Sequence, residues 1–338
     1  MLIREPGVET TISDPNGQVT HLLDLLDGDH TLDQLTDSMR ERWPELTTAD
    51  VAEGLASLDA AGLLEDAGLA TLDRRERERY QSNLEFFGTF AGFATSRDSF
   101  QERLRESNVA LLGVGGIGSA VLCNLVGLGV GRVTIVDHDR VERSNLSRQF
   151  LYVEDDVGSR KIDRAAARAK ALNPEIDLVT IDRRLSSSND LADVVTDADL
   201  VVSAIDRPPR IQYEVNDACV AAGVPYVNGA VWATRGYYYS IRPGSSGCLR
   251  CHEIILERSG SQIPEPVLAN RATGPTANLI GSLVATEALR YLTGFAEPVA
   301  SATVWVTDFL GGTVGVGYAW PKLDECSVCS LRPRVDLS

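Results

Sequence analysis

The sequence predicts an α/β protein: a doubly wound, mostly parallel sheet, with a small α+β domain at the N-terminus. Three observations predict it. From Asn108 onward, short runs of Val, Ile and Leu alternate with longer helical patterns, the order that builds parallel βαβ units. A glycine cluster, Gly113-Val-Gly115-Gly116-Ile-Gly118, sits between the first such run and the first such helix. The composition also breaks near residue 70: the segment before it holds three Arg, no Lys and fifteen Asp plus Glu, a balance of −12 within a whole-chain net charge of −16.

Residues 1–70 read as one winged-helix-like unit. Val8–Ile12 alternates apolar and polar residues and is followed by Asp14-Pro-Asn-Gly17, which predicts a short hairpin closed by that turn. Val19–Gly28 carries apolar residues at helical spacing and ends on a glycine. Thr31 and Gln34 form a capping-box pattern that opens a second helix. Thr47-Thr48-Ala-Asp50 opens a third, with Val51, Leu55, Leu58 and Leu63–Leu64 on its apolar face. Residues 71–107 read as a helical linker, in which Arg74-Arg-Glu-Arg-Glu-Arg79 is a solvated helix face and Phe86, Phe87 and Phe90 form an apolar patch.

Residues 108–338 form the second domain. Val109–Leu112 is a short buried strand, Gly115–Gly129 an apolar helix, and Arg132–Val136 a second strand. A helix over Lys161–Leu172, a strand over Leu178–Ile181 and a strand over Ala198–Ile205 follow. Then come a helix over Arg210–Ala222, a strand over Val224–Val227, a β pattern at Tyr237–Ile241 and a helix over Asn278–Leu292.

Composition excludes several classes of function. The 338 residues are 43% hydrophobic and 24% charged, ordinary globular usage. No apolar run approaches the length of a membrane span, and the N-terminus shows no apolar signal segment, so a cytoplasmic location is expected. The net charge of −16 argues against a duplex nucleic-acid partner, which requires a basic footprint. Neither a nucleic acid nor a membrane is expected as a partner.

The glycine cluster fits G-x-G-x-x-G between a strand and a helix, the arrangement that brings backbone N–H groups and a helix N-terminus to a phosphate. Asp137, 24 residues after Gly113, ends the next strand, where an acidic side chain can hydrogen-bond a ribose. The motif predicts a Rossmann-like site for an adenine nucleotide without choosing among NAD, FAD and ATP. The stretch Asp137-His-Asp139-Arg-Val-Glu-Arg-Ser-Asn145-Leu-Ser-Arg148-Gln149, followed by Lys161, favours a triphosphate, because charge builds on transferring phosphates and needs cations beside it. Asp206 ends a later strand at the same sheet edge, placed either to hold Mg²⁺ or to cap the next helix.

From about Arg79 to Cys329 the chain resembles the ThiF/MoeB/HesA family, relatives of the ubiquitin-activating enzymes. The resemblance rests on GVGGIGS, DHDRVERSNLSRQ, Lys161, the Asp206 to Cys219 stretch, two C-x-x-C pairs and the run Gly274–Arg290. It implies that Gly113, Gly115, Gly116 and Gly118 cradle ATP and that Asp137 holds the ribose. Asp139 and Gln149 would complete the nucleotide site. Asn145, Arg148 and Lys161 would contact the phosphates, and Asp206 would hold Mg²⁺. The implied reaction is adenylation: a carboxylate attacks the α-phosphate and pyrophosphate leaves. The resemblance also pairs Cys248 and Cys251 with Cys326 and Cys329 as a structural Zn²⁺ site, across a gap of 74 residues that is not finger-like. A redox C-x-x-C is the alternative, and His252 is expected not to be a ligand.

The chain departs from the family in two places. No Cys lies between His252 and Glu325, where many relatives carry a thioester or persulfide nucleophile, so transthiolation is not expected. Ser82 stands where relatives carry an Arg that reaches the partner subunit's phosphates, with Arg77 and Arg79 as the nearest substitutes.

Leu25–Leu35 and Asp50–Leu64 resemble the PqqD-like recognition element, which implies binding of a ribosomal precursor peptide through its leader by strand addition. A packing or dimerisation module is the plainer alternative. Together the two resemblances look like the MccB-type peptide adenylyltransferases, which implies a homodimer that adenylates a precursor peptide, at its C-terminal carboxylate. Two other readings stay open: adenylation of a ubiquitin-like sulfur carrier ending in Gly-Gly, and a non-catalytic partner that only delivers a leader.

Overall fold

A computed structural model describes residues 2–5, 8–10, 12–66, 71–260 and 272–330. The chain divides into two compact units, Met1–Arg103 and Leu104–Ser338.

In the first unit, β1 (Leu2–Glu5) pairs antiparallel with β2 (Val8–Thr10), Leu2 opposite Thr10. The turn expected at Asp14–Gly17 therefore lies outside this strand pair and closes no hairpin. Asp14 instead starts a helix. Its carboxylate accepts the Val19 and Thr20 N–H groups at 3.0 Å and the Thr20 hydroxyl at 2.7 Å, which opens α1 (Gln18–Leu25). The same side-chain chemistry serves turns and caps, and here the cap prevails.

The next two helices begin where their caps place them. Thr31 and Gln34 close a reciprocal box at α2 (Leu32–Arg40). Thr47 and Asp50 do the same at α3 (Thr48–Ala60). Leu22, Leu35, Met39, Val51, Leu58 and Leu64 make their common core. The residues expected to form a linker fold as α4 (Arg74–Arg79), α5 (Gln81–Gly88) and α6 (Arg97–Glu106). The Arg-Glu helix α4 buries none of its side chains, as a solvated face should. Phe87 is fully buried and stacks on Phe100 with ring centres 5.1 Å apart.

The second unit is a mixed sheet of eight strands with helices packed on it. In chain order it runs β3 (Asn108–Leu112), α7 (Gly116–Leu128), β4 (Arg132–Asp137), α8 (Lys161–Leu172), β5 (Asp177–Asp182), α9 (Ala192–Thr196), β6 (Leu200–Ser203), α10 (Ile211–Ala222) and β7 (Tyr226–Trp232). It continues with β8 (Arg235–Ile241), α11 (Leu249–Arg258), α12 (Gly274–Thr293), β9 (Thr303–Asp308) and β10 (Thr313–Ala319). The strand order is β10-β9-β8-β7-β6-β3-β4-β5. The five strands from β7 to β5 are parallel, and β8, β9 and β10 extend the sheet antiparallel.

The parallel half follows from its sequence. Leu111 pairs with Ile135 on one side and Val202 on the other, and all three are fully buried, because helices cover both faces. Helices α7 and α12 approach closely: a Cβ on Gly281 would lie 2.6 Å from the Ala120 Cβ and 2.9 Å from the Ile117 carbonyl. Chain order β3-β4-β5 runs one way across the sheet, and β6 then returns to the other side of β3. That reversal opens a crevice at the carboxyl ends of β3 and β6, the usual ligand position in a doubly wound sheet. Among the described residues, no helix is long and apolar enough to cross a membrane.

Candidate functional site

The glycine loop hangs from the end of β3. Gly113 takes a left-handed φ of +86°, and a Cβ there would lie 2.7 Å from the Ile205 Cγ2, so the loop runs flush against the end of β6. At Gly118 a Cβ would lie 1.9 Å from the Gly113 carbonyl oxygen, which is how tightly α7 turns back on the loop. At Gly115 the nearest atom to an added Cβ is the Gln149 Nε2 at 3.9 Å. A side chain at Gly115 would therefore fill the open space in front of the α7 N-terminus, where N–H groups have no intrahelical partner.

Asp137 ends β4 and holds this loop. Its carboxylate accepts the Val114 N–H at 2.9 Å and the Asp139 N–H at 2.8 Å. Tyr152 closes the loop from the other side, donating its hydroxyl to the Val114 carbonyl at 2.8 Å from a buried position. Burial and the nearby carboxylates of Asp137, Asp139 and Asp156 push the Tyr152 phenol far above its ordinary value, so it stays a donor.

Asp139 and Lys161 form a pair. The Lys161 ammonium, nearly buried, donates to the Asp139 carboxylate at 2.8 Å, and the Lys161 N–H bonds the Asp139 carbonyl. Burial pushes the Asp139 carboxyl upward, but the Lys161 hydrogen bond and charge outweigh it and hold it below its ordinary value.

The segment after Asp139 folds over the loop. The Asn145 side-chain oxygen caps its own short turn, accepting the Glu142 N–H at 3.1 Å. Arg148 Nη1 donates to the Ser144 carbonyl at 2.9 Å, and the Arg148 stem passes 3.7 Å from where a Gly116 Cβ would stand. Two buried polar atoms here, Arg148 Nε and Gln149 Oε1, have no hydrogen-bond partner among the described residues. Orphaned buried polar groups are rare and costly, and a bound polar ligand is one way to satisfy them.

Asp206 lies two residues beyond Ala204, whose N–H still bonds the Leu112 carbonyl of β3. It is exposed and makes no hydrogen bond to a described residue. The N-cap of α10 is Arg210, so Asp206 does not serve as that cap. Tyr237 of β8 stands near it: burial first, then Tyr318 and the Asp206 charge, raise the Tyr237 phenol. The structure thus brings together the four glycines, Asp137, Arg148, Gln149 and the Asp206 end of β6. Lys161 and Asn145 sit beside them with one group each already engaged.

Part of the site has no signal in the sequence. Tyr152 reaches the loop across 38 residues, and no spacing links it to Val114. The Asp137 clamp on the Val114 N–H is a loop-holding contact that the motif alone does not announce. Arg77, one candidate for the missing linker arginine, is engaged with Asp98.

The four cysteines converge. Cys248 N-caps α11 and Cys251 follows one turn later, while Cys326 and Cys329 come from the segment after β10. Three of their sulfur pairs lie 3.4 to 3.9 Å apart, all four sulfurs fall within 4.8 Å of one another, and every residue is buried. Sulfurs placed ~2.3 Å from one tetrahedral centre would be separated by ~3.8 Å, so the cluster fits a metal. His252 stacks on Tyr318 at 5.0 Å and packs tilted against Trp320 at 4.9 Å.

The ThiF family profile matches residues 88–328. This chain is a member of the ThiF family. A sulfur carrier protein adenylyltransferase of Thermus thermophilus is 40% identical over 206 residues, covering 59% of this chain and 74% of that protein. The sulfur carrier protein ThiS adenylyltransferase of Bacillus subtilis is 34% identical over 251 residues, 71% of this chain and 70% of that protein. Among solved structures, Escherichia coli MccB with ATP superposes with a TM-score of 0.72 at 22% identity, covering 92% of this chain and 89% of that one. That likeness shows a shared fold. The ThiF-family chain is an adenylyltransferase, and ATP with Mg²⁺ is implied by that chemistry.

Proposed function

We propose that this ThiF-family protein adenylates a carboxylate of a ribosomally made precursor peptide, bound through its leader on the N-terminal unit. In this reading residues 1–70 are the recognition domain, 71–107 a helical linker and 108–338 the adenylation domain. The observation that carries the proposal is the fusion of an intact nucleotide crevice to a small α+β unit. The unit Met1–Arg103 holds a strand pair, helices and an apolar depression of about 380 Å³ lined by Leu32, Leu55 and Phe93 among others. An antiparallel strand pair suits strand addition by an extended peptide, and the −12 charge of residues 1–70 suits a basic leader. E. coli MccB, which shares the overall fold, has been crystallised with AMPCPP and MccA together.

The residue roles in this reading are those the family resemblance implies, and the geometry is compatible with them. The N–H groups at the start of α7 and the open face at Gly115 receive the phosphates. Arg148 and Lys161 lie beside them to balance the charge that builds as pyrophosphate leaves. Lys161 is held in place by its hydrogen bond to Asp139, and Asp137 keeps a free lone pair on each oxygen for the ribose. Gln149 and Asn145 complete the pocket wall. Bound Mg²⁺ would neutralise phosphate charge, and Asp206 is the residue that would hold it. The substrate carboxylate oxygen attacks the α-phosphorus, the bond to the β-phosphate bridge breaks, and pyrophosphate departs. Positioning and charge carry the rate; the protein supplies no covalent nucleophile. Zn²⁺ in the four-cysteine centre leaves no open coordination position, so its role is structural. A homodimer is the assembly we assign, by likeness to the family.

One observation favours a second reading. The relatives at 40% and 34% identity are named for sulfur carrier proteins. ATP–pyrophosphate exchange separates the two. Stimulation by the full-length precursor peptide, and none by a carrier protein ending in Gly-Gly, is the expected result. The reverse pattern establishes the sulfur-carrier reading.

A further inference from the structure

Four residues separate Asp206 from α10, and two of them, Pro208 and Pro209, have their φ angles fixed by the ring. The last, Arg210, holds a left-handed φ of +70°, a conformation non-glycine residues rarely adopt. Something must hold it there. Its guanidinium lies over the Tyr213 ring, 4.4 Å from the centroid, and hydrogen-bonds Glu253 on α11. Arg250 covers Tyr213 as well, at 4.8 Å, and donates to Glu253 at 2.9 Å. Arg250 also grips Asp217 of α10 through Nη2 at 2.7 Å and Nε at 3.1 Å. Tyr213 is almost fully buried, and the Glu253 side chain is mostly so. Glu253 sits two residues after Cys251, on the helix that the four-cysteine centre anchors.

The geometry points to Glu253, with Arg210 and Tyr213, as a positioning device that fixes the Asp206 carboxylate and ties it to the four-cysteine centre; this rests on the proposed role of Asp206. Glu253 accepts from two guanidiniums, one on the strap that follows Asp206 and one on its own helix. The strap is short and stiff, so a fixed Arg210 leaves Asp206 few positions. None of these residues is a catalytic residue: they act through Asp206.

The test compares Glu253→Ala, Glu253→Asp, Arg210→Ala and Asp206→Ala in the full chain. Three readouts are needed: the Mg²⁺ concentration for half-maximal ATP–pyrophosphate exchange, backbone hydrogen exchange at Ile205, Asp206, Arg207 and Arg210, and bound zinc. Glu253→Ala should raise the Mg²⁺ requirement about tenfold, the size expected for loss of one charged hydrogen bond. The Ile205, Asp206, Arg207 and Arg210 amides should exchange faster while those of β3 and β4 do not change. Glu253→Asp should recover part of the effect. Arg210→Ala should reproduce it with full zinc content, because Arg250 and Glu253 stay paired. That variant carries the test if Glu253→Ala loses its metal or fails to fold. An unchanged Mg²⁺ requirement and unchanged exchange in Arg210→Ala, with Asp206→Ala inactive, overturn the positioning role. Full activity in Asp206→Ala overturns the site reading beneath it.

Discussion

At the scale of single residues, the account depends on close approaches and on one buried pair. Gly118 cannot carry a side chain without pushing against the Gly113 carbonyl, so Gly118→Ala should cost about 1–3 kcal/mol and open the phosphate loop. Urea denaturation should show the loss, and calorimetric titration should show that ATP no longer binds. The Asp139 and Lys161 pair makes a pH prediction. The Asp139 carboxyl lies below its ordinary value in the folded state, so its stabilisation is present above the unfolded pKa and disappears as pH falls through the folded one. Acid titrations of wild type and Asp139→Asn should therefore converge below about pH 4 and separate above it, the wild type being the more stable. These residues are legible in the sequence because glycine, Asp and Lys stand at motif positions. Tyr152 and the Arg210 strap are not, because they act through contacts that leave no periodic trace.

At the scale of elements, local chemistry sets boundaries and non-local pairing sets the sheet. Thr31 and Thr47 each cap a helix and each close a box with the residue three positions on. Thr31→Ala and Thr47→Ala should each destabilise the first unit by about 1 kcal/mol, read as a lower thermal midpoint of that transition. Those caps are readable from sequence, and so are the parallel strands with their unbroken apolar runs. The hairpin of β9 and β10 is not, since β10 alternates glycine with exposed Val314, Val316 and Tyr318 and offers no buried face. The N-terminal hairpin turns elsewhere than expected, because an Asp-Pro-Asn-Gly sequence also suits a helix start. Helix α12 begins at Gly274, before the expected Asn278, with Pro275 in its first turn. Removing metal from the four-cysteine centre should loosen α11 and the segment around Cys326 together. Hydrogen exchange after chelation should rise in both and stay unchanged in β3 and β4.

At the scale of the whole molecule, the reading separates recognition from chemistry. The first unit supplies an acidic surface and an apolar depression; the second supplies the crevice at the sheet's reversal point. Asp206→Ala should therefore abolish adenylation while changing leader affinity by no more than a few fold, measured by fluorescence anisotropy of a labelled leader. The measurement that tests the central claim most directly is intact-mass spectrometry of the precursor peptide after incubation with the protein, Mg²⁺ and ATP, with a leaderless peptide alongside. The account predicts an adenylyl adduct on the full-length peptide and none on the leaderless one. An unmodified full-length peptide, beside a Gly-Gly carrier protein that the same preparation adenylates, would contradict it.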